Sequence, residues 1–181
     1  MSIQFTVPLA KIISAMKLEV AYMPASESEV LISSADINRP GLQLAGFFDY
    51  FDNQRVQLIG KSEMAYLNQL TAEQEEQVME RYMAANPVAV IQTRGNQPSA
   101  IMLDKAQKYG VPLLITDATT TSFAASLTAY LNIELAPRIT RHGVLVEVYG
   151  EGVLLLGDSG VGKSEAAIEL VKRGHRRIAD D

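Results

Sequence analysis

The sequence predicts an α/β protein with an N-terminal αβ domain and the start of a second domain. Short apolar runs alternate with helical patterns up to residue 134, which is typical of a mostly parallel sheet covered by helices. Residues 135–138 interrupt this alternation. Two strand-like runs then follow with only three residues, 150–152, between them, and so short a connection predicts an antiparallel hairpin. We therefore expect one domain over residues 1–134 and another over residues 135–181.

The strands of the first domain are predicted from short apolar runs that end at turn residues. The candidate strands are residues 3–6, 30–32, 56–59, 88–92 and 111–115. Residues 38–41 carry a turn signal, Asn-Arg-Pro-Gly. The apolar and aromatic segment after it, residues 42–51, is expected to pack into the core.

The helices are predicted from their start signals. Pro8 is expected at the first helical position of helix 1, because its fixed φ and missing N–H suit that site. Thr71 and Gln74 form a capping-box pattern ahead of a helix that runs to residue 83. The remaining two helices are expected over residues 100–109 and 121–131.

Composition excludes several classes of function. The net charge is −5 and no stripe of Lys and Arg is present, which argues against a nucleic-acid partner bound through phosphates. The chain has no cysteine, so disulfides and thiolate catalysis are excluded, and its two histidines are too few for a zinc cluster. Neither a signal segment nor an apolar run of membrane-spanning length is visible, so we expect a cytoplasmic protein without a membrane partner.

One motif carries a specific chemistry, the binding of nucleoside phosphates. The pattern G-x-x-x-x-G-K-[ST] is met at every fixed position by Gly157, Asp158, Ser159, Gly160, Val161, Gly162, Lys163 and Ser164. Glycines let successive backbone N–H groups converge on one anion, and the following helix adds the positive end of its dipole. Lys163 is expected to reach the β- and γ-phosphates, and the Ser164 hydroxyl to ligate Mg²⁺.

The neighbouring sequence fits this motif better than a chance match in a loop. An apolar run at residues 153–156 precedes it and predicts a buried strand. A helical pattern follows, in which Glu169 and Arg173 are a favourable i, i+4 pair and Gly174 is placed to end the helix.

Three further side chains are candidates for chemistry, each with a plainer alternative. Asp180 and Asp181 follow a short apolar run, where they could bind Mg²⁺ or accept a proton, or could equally be an acidic chain end. His142 could serve as a donor or proton carrier, although a structural role beside Arg141 is the simpler interpretation from the residues alone.

Three segments together resemble the bacterial HPr kinase/phosphorylase family. The longest, residues 142–181, reads HGVLVEVYGEGVLLLGDSGVGKSEAAIELVKRGHRRIADD. The other two are residues 36–67, DINRPGLQLAGFFDYFDNQRVQLIGKSEMAYL, and residues 122–143, SFAASLTAYLNIELAPRITRHG. The resemblance covers most of the chain and is more specific than the loop motif, which many ATPases, GTPases and kinases share.

The resemblance implies a P-loop kinase domain and a bifunctional, homohexameric enzyme that phosphorylates a serine of the phosphocarrier HPr. The donor would be ATP or pyrophosphate, and the reverse reaction a phosphorolysis that yields pyrophosphate, both with Mg²⁺. It also implies that Lys163 is catalytic, that His142 is an active-site residue, and that Asp181 is the general base and, in reverse, the general acid.

The family pattern continues past Asp181, so we expect the 181-residue species to be inactive by itself and the parent protein to be a serine kinase. Two alternatives remain open at this point. One is a generic ATPase or GTPase switch, and the other is a non-catalytic N-terminal regulatory or assembly fragment.

Overall fold

The computed structural model describes residues 5–24, 28–137, 143–158 and 160–180, the last of these without its side chain. The chain forms two compact units, Met1–Ala136 and Pro137–Asp181. The predicted fold class, a mixed α/β chain with a sheet rich in parallel pairs, is confirmed. The division into domains at residues 134 and 135 stays a prediction.

The first unit contains seven strands and six helices within its described residues. In chain order they are β1 (Val7–Pro8), α1 (Leu9–Met16), β2 (Glu19–Tyr22), β3 (Leu31–Ile32), β4 (Ile37–Asn38), α2 (Gly41–Leu44), β5 (Val56–Ile59), α3 (Lys61–Leu67), α4 (Ala72–Ala84), β6 (Val90–Gln92), α5 (Ala100–Tyr109), β7 (Leu113–Ile115) and α6 (Thr120–Glu134). Strands β1 and β3 form a separate antiparallel pair.

The main sheet of the first unit has the order β2-β7-β6-β5-β4. The pairs β4–β5, β5–β6 and β6–β7 are parallel, and β2 adds an antiparallel edge beside β7. Strands β4 to β7 are neighbours in chain order, and the helices that connect them, α2 to α5, share one core on the same face of the sheet.

Alternation along the central strands feeds two cores, one on each face. Leu58, Ile91 and Leu114 pack with α1 and α6 in one core, where all three are 0% exposed. Ile59 and Val90 face the other core, which is shared with α2 to α5. The central strands β5, β6 and β7 are buried on both faces, as their continuous apolar runs predicted.

Several helix boundaries follow local capping chemistry. The Thr71 hydroxyl accepts from the Gln74 N–H at 3.3 Å, and Gln74 Oε1 accepts from the Thr71 N–H at 2.9 Å, so the predicted capping box is confirmed. Helix α5 occupies the predicted residues, with Ser99 as its N-cap. Pro8 is the N-cap of α1 and not its first helical residue, so that prediction was wrong by one position.

The N-terminal strand and the turn also differ from prediction. Residues 1–4 lie outside the described residues, and the first described strand is Val7–Pro8. Asn38 ends β4 and Gly41 begins α2, so only the two residues between them form the predicted turn. Strand β2 and helix α3 were not predicted at all.

The aromatic segment after α2 is only partly in the core, which corrects the prediction. Phe48 and Phe51 pack edge to face at 5.9 Å between ring centroids and contact the core under α2 to α5. Phe47 and Tyr50 are exposed, and Tyr50 has a φ of +62°. Positive φ values at Gly46 and Tyr50 turn the chain so that alternate aromatic rings leave the core.

The second unit contains β8 (Gly143–Val148), β9 (Glu151–Leu156), α7 (Lys163–Lys172) and β10 (Arg176–Asp180). Strands β8 and β9 form the predicted antiparallel hairpin, with Val148 paired to Glu151. Strand β10 pairs antiparallel with the other edge of β8, giving the order β10-β8-β9.

The prediction that residues 153–156 form a buried strand was wrong about burial. Leu154 and Leu156 are 51% and 56% exposed, whereas Leu155 packs with α7. The reason is that β9 is an edge strand, and α7 covers only the face that carries Val144 and Val146.

An ion pair between the exposed Arg39 and the buried Glu63 stabilises the start of α3 in the first unit. Arg39 donates to Glu63 through Nε at 3.1 Å and Nη2 at 2.6 Å, while Glu63 Oε2 also accepts from the Gly60 N–H at 2.9 Å. Burial raises the pKa of the Glu63 carboxyl, but these hydrogen bonds and that from its own N–H together lower the pKa below its ordinary value of 4.5.

This lowered pKa predicts an acid-dependent loss of stability. Because the folded state holds the carboxylate form, the contribution is complete above pH 4.5 and is lost as pH falls through the lower folded-state pKa. Glu63→Gln should lower the free energy of unfolding by about 1–3 kcal/mol at neutral pH, with a smaller difference in acid. Urea unfolding at both pH values measures this, and the exposed Glu73→Gln is the control. An equal difference at both pH values would contradict the assignment.

Candidate functional site

The glycine-rich loop joins the end of β9 to the start of α7. Gly160 and Gly162 have φ values of +83° and +90°, a region that side chains with a Cβ rarely adopt. Gly162 is the N-cap of α7, so the loop leads directly into the helix. The predicted sequence of strand, glycine-rich loop and helix is therefore present.

The first glycine of the motif lies in close contact with the side chain of another loop residue. A Cβ built on Gly157 would lie 2.9 Å from Val161 Cγ2, closer than real Cβ atoms approach. Val161 thus packs across Gly157, and the Val161 N–H donates to the Asp158 carbonyl at 3.4 Å. Sequence reasoning treated Val161 only as a motif position and missed this contact, for which no sequence signal exists.

Lys163 lies over the beginning of the loop. Its Nζ donates to the carbonyl oxygens of Gly157 and Asp158 at 2.6 and 2.7 Å. The ammonium therefore curls back from the first turn of α7 toward the end of β9. An anion held by the loop would meet this charge.

The N-terminus of α7 adds a second favourable field for an anion. The first helical hydrogen bond runs from the Ala166 N–H to the Gly162 carbonyl at 3.0 Å. The N–H groups of Lys163, Ser164 and Glu165 precede that bond and belong to the first turn, where helices bind anions. Ser164 is exposed at this end, which suits a hydroxyl expected to ligate a metal ion.

The opposite end of α7 is built as predicted. Arg173 Nε donates to Glu169 Oε1 at 3.1 Å, and Gly174 has a φ of +93° just after the C-cap. His175 packs edge to face on Tyr149 at 4.8 Å between ring centroids. This end of the helix is therefore structural.

The structure does not bring together every predicted site residue. His142, Ser159 and Asp181 lie outside the described residues, and of Asp180 only the backbone, at the end of β10, is described. Within the described residues no cluster of three or more His, Asp and Glu could hold a metal ion. The described helices also include none that is both long enough and apolar enough to cross a bilayer.

The fold and the loop of the second unit define the class of P-loop proteins, which bind phosphate groups at a helix N-terminus. Comparison with known families then identifies the chain. Residues 7–131 match the model described as HPr Serine kinase N terminus, and residues 133–181 match the HPr Serine kinase C-terminal domain. The chain belongs to the HPr serine kinase family, which confirms the resemblance found in the sequence.

Curated relatives agree with this assignment. The chain is 53% identical over 177 residues to the HPr kinase/phosphorylase of Caldicellulosiruptor bescii and 46% identical over 177 residues to that of Lachnoclostridium phytofermentans. Each match covers 98% of this chain and 57% of the relative, so the chain spans little more than half the length of these relatives.

A solved structure also resembles part of the chain. It contains the CBS and DRTGG domains of the regulatory region of Clostridium perfringens pyrophosphatase, complexed with diadenosine tetraphosphate. The TM-score is 0.49 at 14% identity, over 71% of this chain and 47% of that one. A similarity of this size supports no functional conclusion.

Proposed function

We propose that this chain carries the phosphate-binding part of an enzyme that phosphorylates a serine of HPr. The donor is ATP or pyrophosphate, and the reverse reaction transfers the phosphate to inorganic phosphate and releases pyrophosphate. The observation that supports this most strongly is a glycine-rich loop with Lys163 over its start, in a chain that HPr kinase models match on both sides of residue 132.

The loop and Lys163 act first by binding the donor. Backbone N–H groups of the loop and of the first turn of α7 attract the phosphate oxygens, since helix N-termini carry N–H groups without an intrahelical partner. Lys163 then exchanges a carbonyl partner for a phosphate oxygen, which is the stronger acceptor because it is charged. This arrangement places positive charge where the transferring group gains negative charge.

Among the described residues of the loop and helix, Ser164 has a side chain suited to bind a magnesium ion. Mg²⁺ binds through few protein oxygens together with substrate phosphates and water, and the exposed Ser164 hydroxyl beside the loop is such an oxygen. When bound, the ion would neutralise charge on the phosphate oxygens. Ser164 is accordingly assigned as the metal ligand.

Asp181 and His142 are assigned to the transfer step through the family. In the kinase direction Asp181 accepts the proton of the HPr serine hydroxyl while the serine oxygen attacks phosphorus. In the phosphorolysis direction the same carboxylic acid returns the proton to the departing serine oxygen. His142 is placed in the same active site.

The partners and setting follow from the same family. HPr is the protein substrate, the enzyme assembles as a homohexamer in the cytoplasm, and its role is the regulation of sugar uptake and carbon metabolism. The two domains span residues 1–134, with a regulatory or assembly role, and residues 135–181, which begin the nucleotide-binding domain.

Transfer of labelled phosphate tests this proposal. The full-length protein should move label from γ-labelled ATP to HPr only when Mg²⁺ is present, and not to HPr whose acceptor serine is replaced by alanine. Adding inorganic phosphate should then release label as pyrophosphate. ATP hydrolysis without any transfer to HPr would instead support a generic P-loop ATPase and contradict the proposal.

A further inference from the structure

A cleft in the first unit, remote in sequence from the phosphate loop, has an unusual set of side chains. It lies between the end of α2, the end of α3 and one face of α4, and has a volume of about 180 Å³. At about 30 Å³ for each water molecule in the liquid, this space equals roughly six waters. The cleft is therefore large enough for a small organic molecule.

The face of α4 that lines the cleft carries no acidic side chain, and Gln77 at its border also lines a neighbouring groove that contains Glu73, Glu76 and Glu80. The cleft is lined by Gln74, Gln77, Val78 and Arg81, which share one face because they are spaced i, i+3, i+4 and i+7. The glutamates of α4 lie elsewhere, and those facing α5 form ion pairs with lysines there. These pairs are Glu76 with Lys105, and Glu80 with Lys105 and Lys108.

Arg81, whose side chain is exposed, supplies the positive charge of the cleft. Among the described residues that line the cleft it is the only charged one, and the described part of the chain offers its guanidinium no hydrogen bond or ion pair. A guanidinium presents five N–H donors in a planar fork that matches a carboxylate.

The amide side chains around Arg81 also have donors to spare. Gln43 is only 7% exposed, and its Oε1 already accepts from Asn38 Nδ2 at 3.3 Å. Gln74 Oε1 accepts from the Thr71 N–H at 2.9 Å. The NH₂ groups of these two amides have no acceptor within the described residues, and the Gln77 side chain makes no hydrogen bond there. Free N–H donors therefore lie beside Arg81, and the oxygens of Gln43 and Gln74 are already engaged.

Apolar groups complete the cleft. Leu44, Leu70 and Val78 line it together with the ring of Tyr66, whose hydroxyl donates to the Leu44 carbonyl at 3.4 Å. A fully inorganic anion would leave this apolar surface without a contact. The lining instead matches a molecule with an acidic oxygen group at one end and a compact apolar body.

We propose that this cleft binds a small organic carboxylate. The carboxylate pairs with the Arg81 guanidinium, further oxygens accept from the amides of Gln43 and Gln77, and the carbon body packs on the partly exposed Leu70 and Val78. The first unit thus has a ligand site of its own, independent of phosphate transfer in the second unit.

NMR titration of the ¹⁵N-labelled 181-residue chain tests this site. The probes are acetate, lactate, succinate and benzoate, with inorganic phosphate as the comparison. At least one carboxylate should produce saturable shifts of the backbone amides of Ala45 and Gly46 and of the Gln43 side-chain amide. A dissociation constant near 1 mM corresponds to about 4 kcal/mol of binding free energy, which one charged pair with apolar contact can supply.

Substitutions of Arg81 distinguish a specific site from weak binding to the protein surface. Arg81→Gln should weaken binding of the carboxylate that responds in the titration at least about tenfold. Arg81→Lys keeps the charge but loses the planar guanidinium, and it should weaken binding less. Arg94→Gln is the matched control, because Arg94 is exposed in the same unit but does not line the cleft. Thermal unfolding checks that each variant folds. If Arg81→Gln does not fold, Arg81→Lys still tests the site, because it keeps a cation in the last turn of α4.

Three outcomes would overturn the proposal. One is the absence of saturable shifts at the cleft for every carboxylate up to about 50 mM, where a millimolar ligand would saturate. Another is equal weakening in Arg81→Gln and Arg94→Gln. The third is that inorganic phosphate binds as tightly as the best carboxylate, since the apolar lining would then contribute nothing.

Discussion

Replacing Lys163 with methionine is expected to weaken ATP binding by this chain about 100-fold. Methionine keeps an unbranched stem of similar length but removes the ammonium, which donates to the Gly157 and Asp158 carbonyls beside the loop. A hydrogen bond to a charged group contributes about 1.5–3 kcal/mol, and about 2.7 kcal/mol corresponds to a 100-fold change in affinity. Isothermal titration with ATP and Mg²⁺ measures the effect.

Lys172→Met is the matched control for this prediction. Lys172 lies in the last turn of the same helix, so the variant loses the same charge at the opposite end of α7. ATP affinity should change little in this variant, and thermal unfolding should show both proteins folded. An equal loss of affinity in the two variants would assign the effect to net charge and remove Lys163 from the phosphate site.

Gly60→Ala is expected to destabilise the first unit by about 2–3 kcal/mol. A Cβ at this position would lie 2.5 Å from Thr120 Oγ1 and 3.1 Å from Arg39 Nη2. Neither neighbour can move freely, because Thr120 shares a buried 2.7 Å hydrogen bond with Thr93 and Arg39 holds Glu63. The extra methyl group therefore pushes apart α6, α3 and the ion pair. Urea unfolding monitored by circular dichroism measures the loss.

Gly41→Ala provides the comparison within the same unit. A Cβ there would meet only Glu63 Oε1 at 3.8 Å, an ordinary contact, and Gly41 begins α2. Alanine should leave stability unchanged or raise it by up to about 1 kcal/mol through helix propensity. Similar losses in the two variants would mean that backbone flexibility, and not the close contact at Gly60, determines the effect.

Local patterns predicted those parts of the fold that depend on neighbours in sequence. The capping box of α4 and the hairpin of β8 and β9 depend on contacts between residues a few positions apart in sequence, and both were predicted. Strand β2 could not be predicted in this way. Its pattern, Glu-Val-Ala-Tyr, is weak, and it is held by pairing with β7, nearly a hundred residues away.

The same distinction applies to the candidate site. The glycine-rich loop and its helix could be predicted because the motif specifies the backbone directly. The exposure of Leu154 and Leu156 could not be predicted, because an apolar run does not show which neighbouring elements cover it. The cleft beside Arg81 carries no motif, since its residues come from three helices and the turns after two of them, and only packing brings them together.

The antiparallel edge of the first sheet has a consequence for synthesis. Strands β4 to β7 can pair one after another as the chain emerges, because each neighbour in space is the next strand in sequence. Strand β2 emerges before all of them and pairs only with the last, through Glu19 and Ile115. The ribosome must therefore release residue 115 before β2 can join the sheet. Until then β2 has no partner strand for its backbone groups, and the segment can misfold or be bound by chaperones.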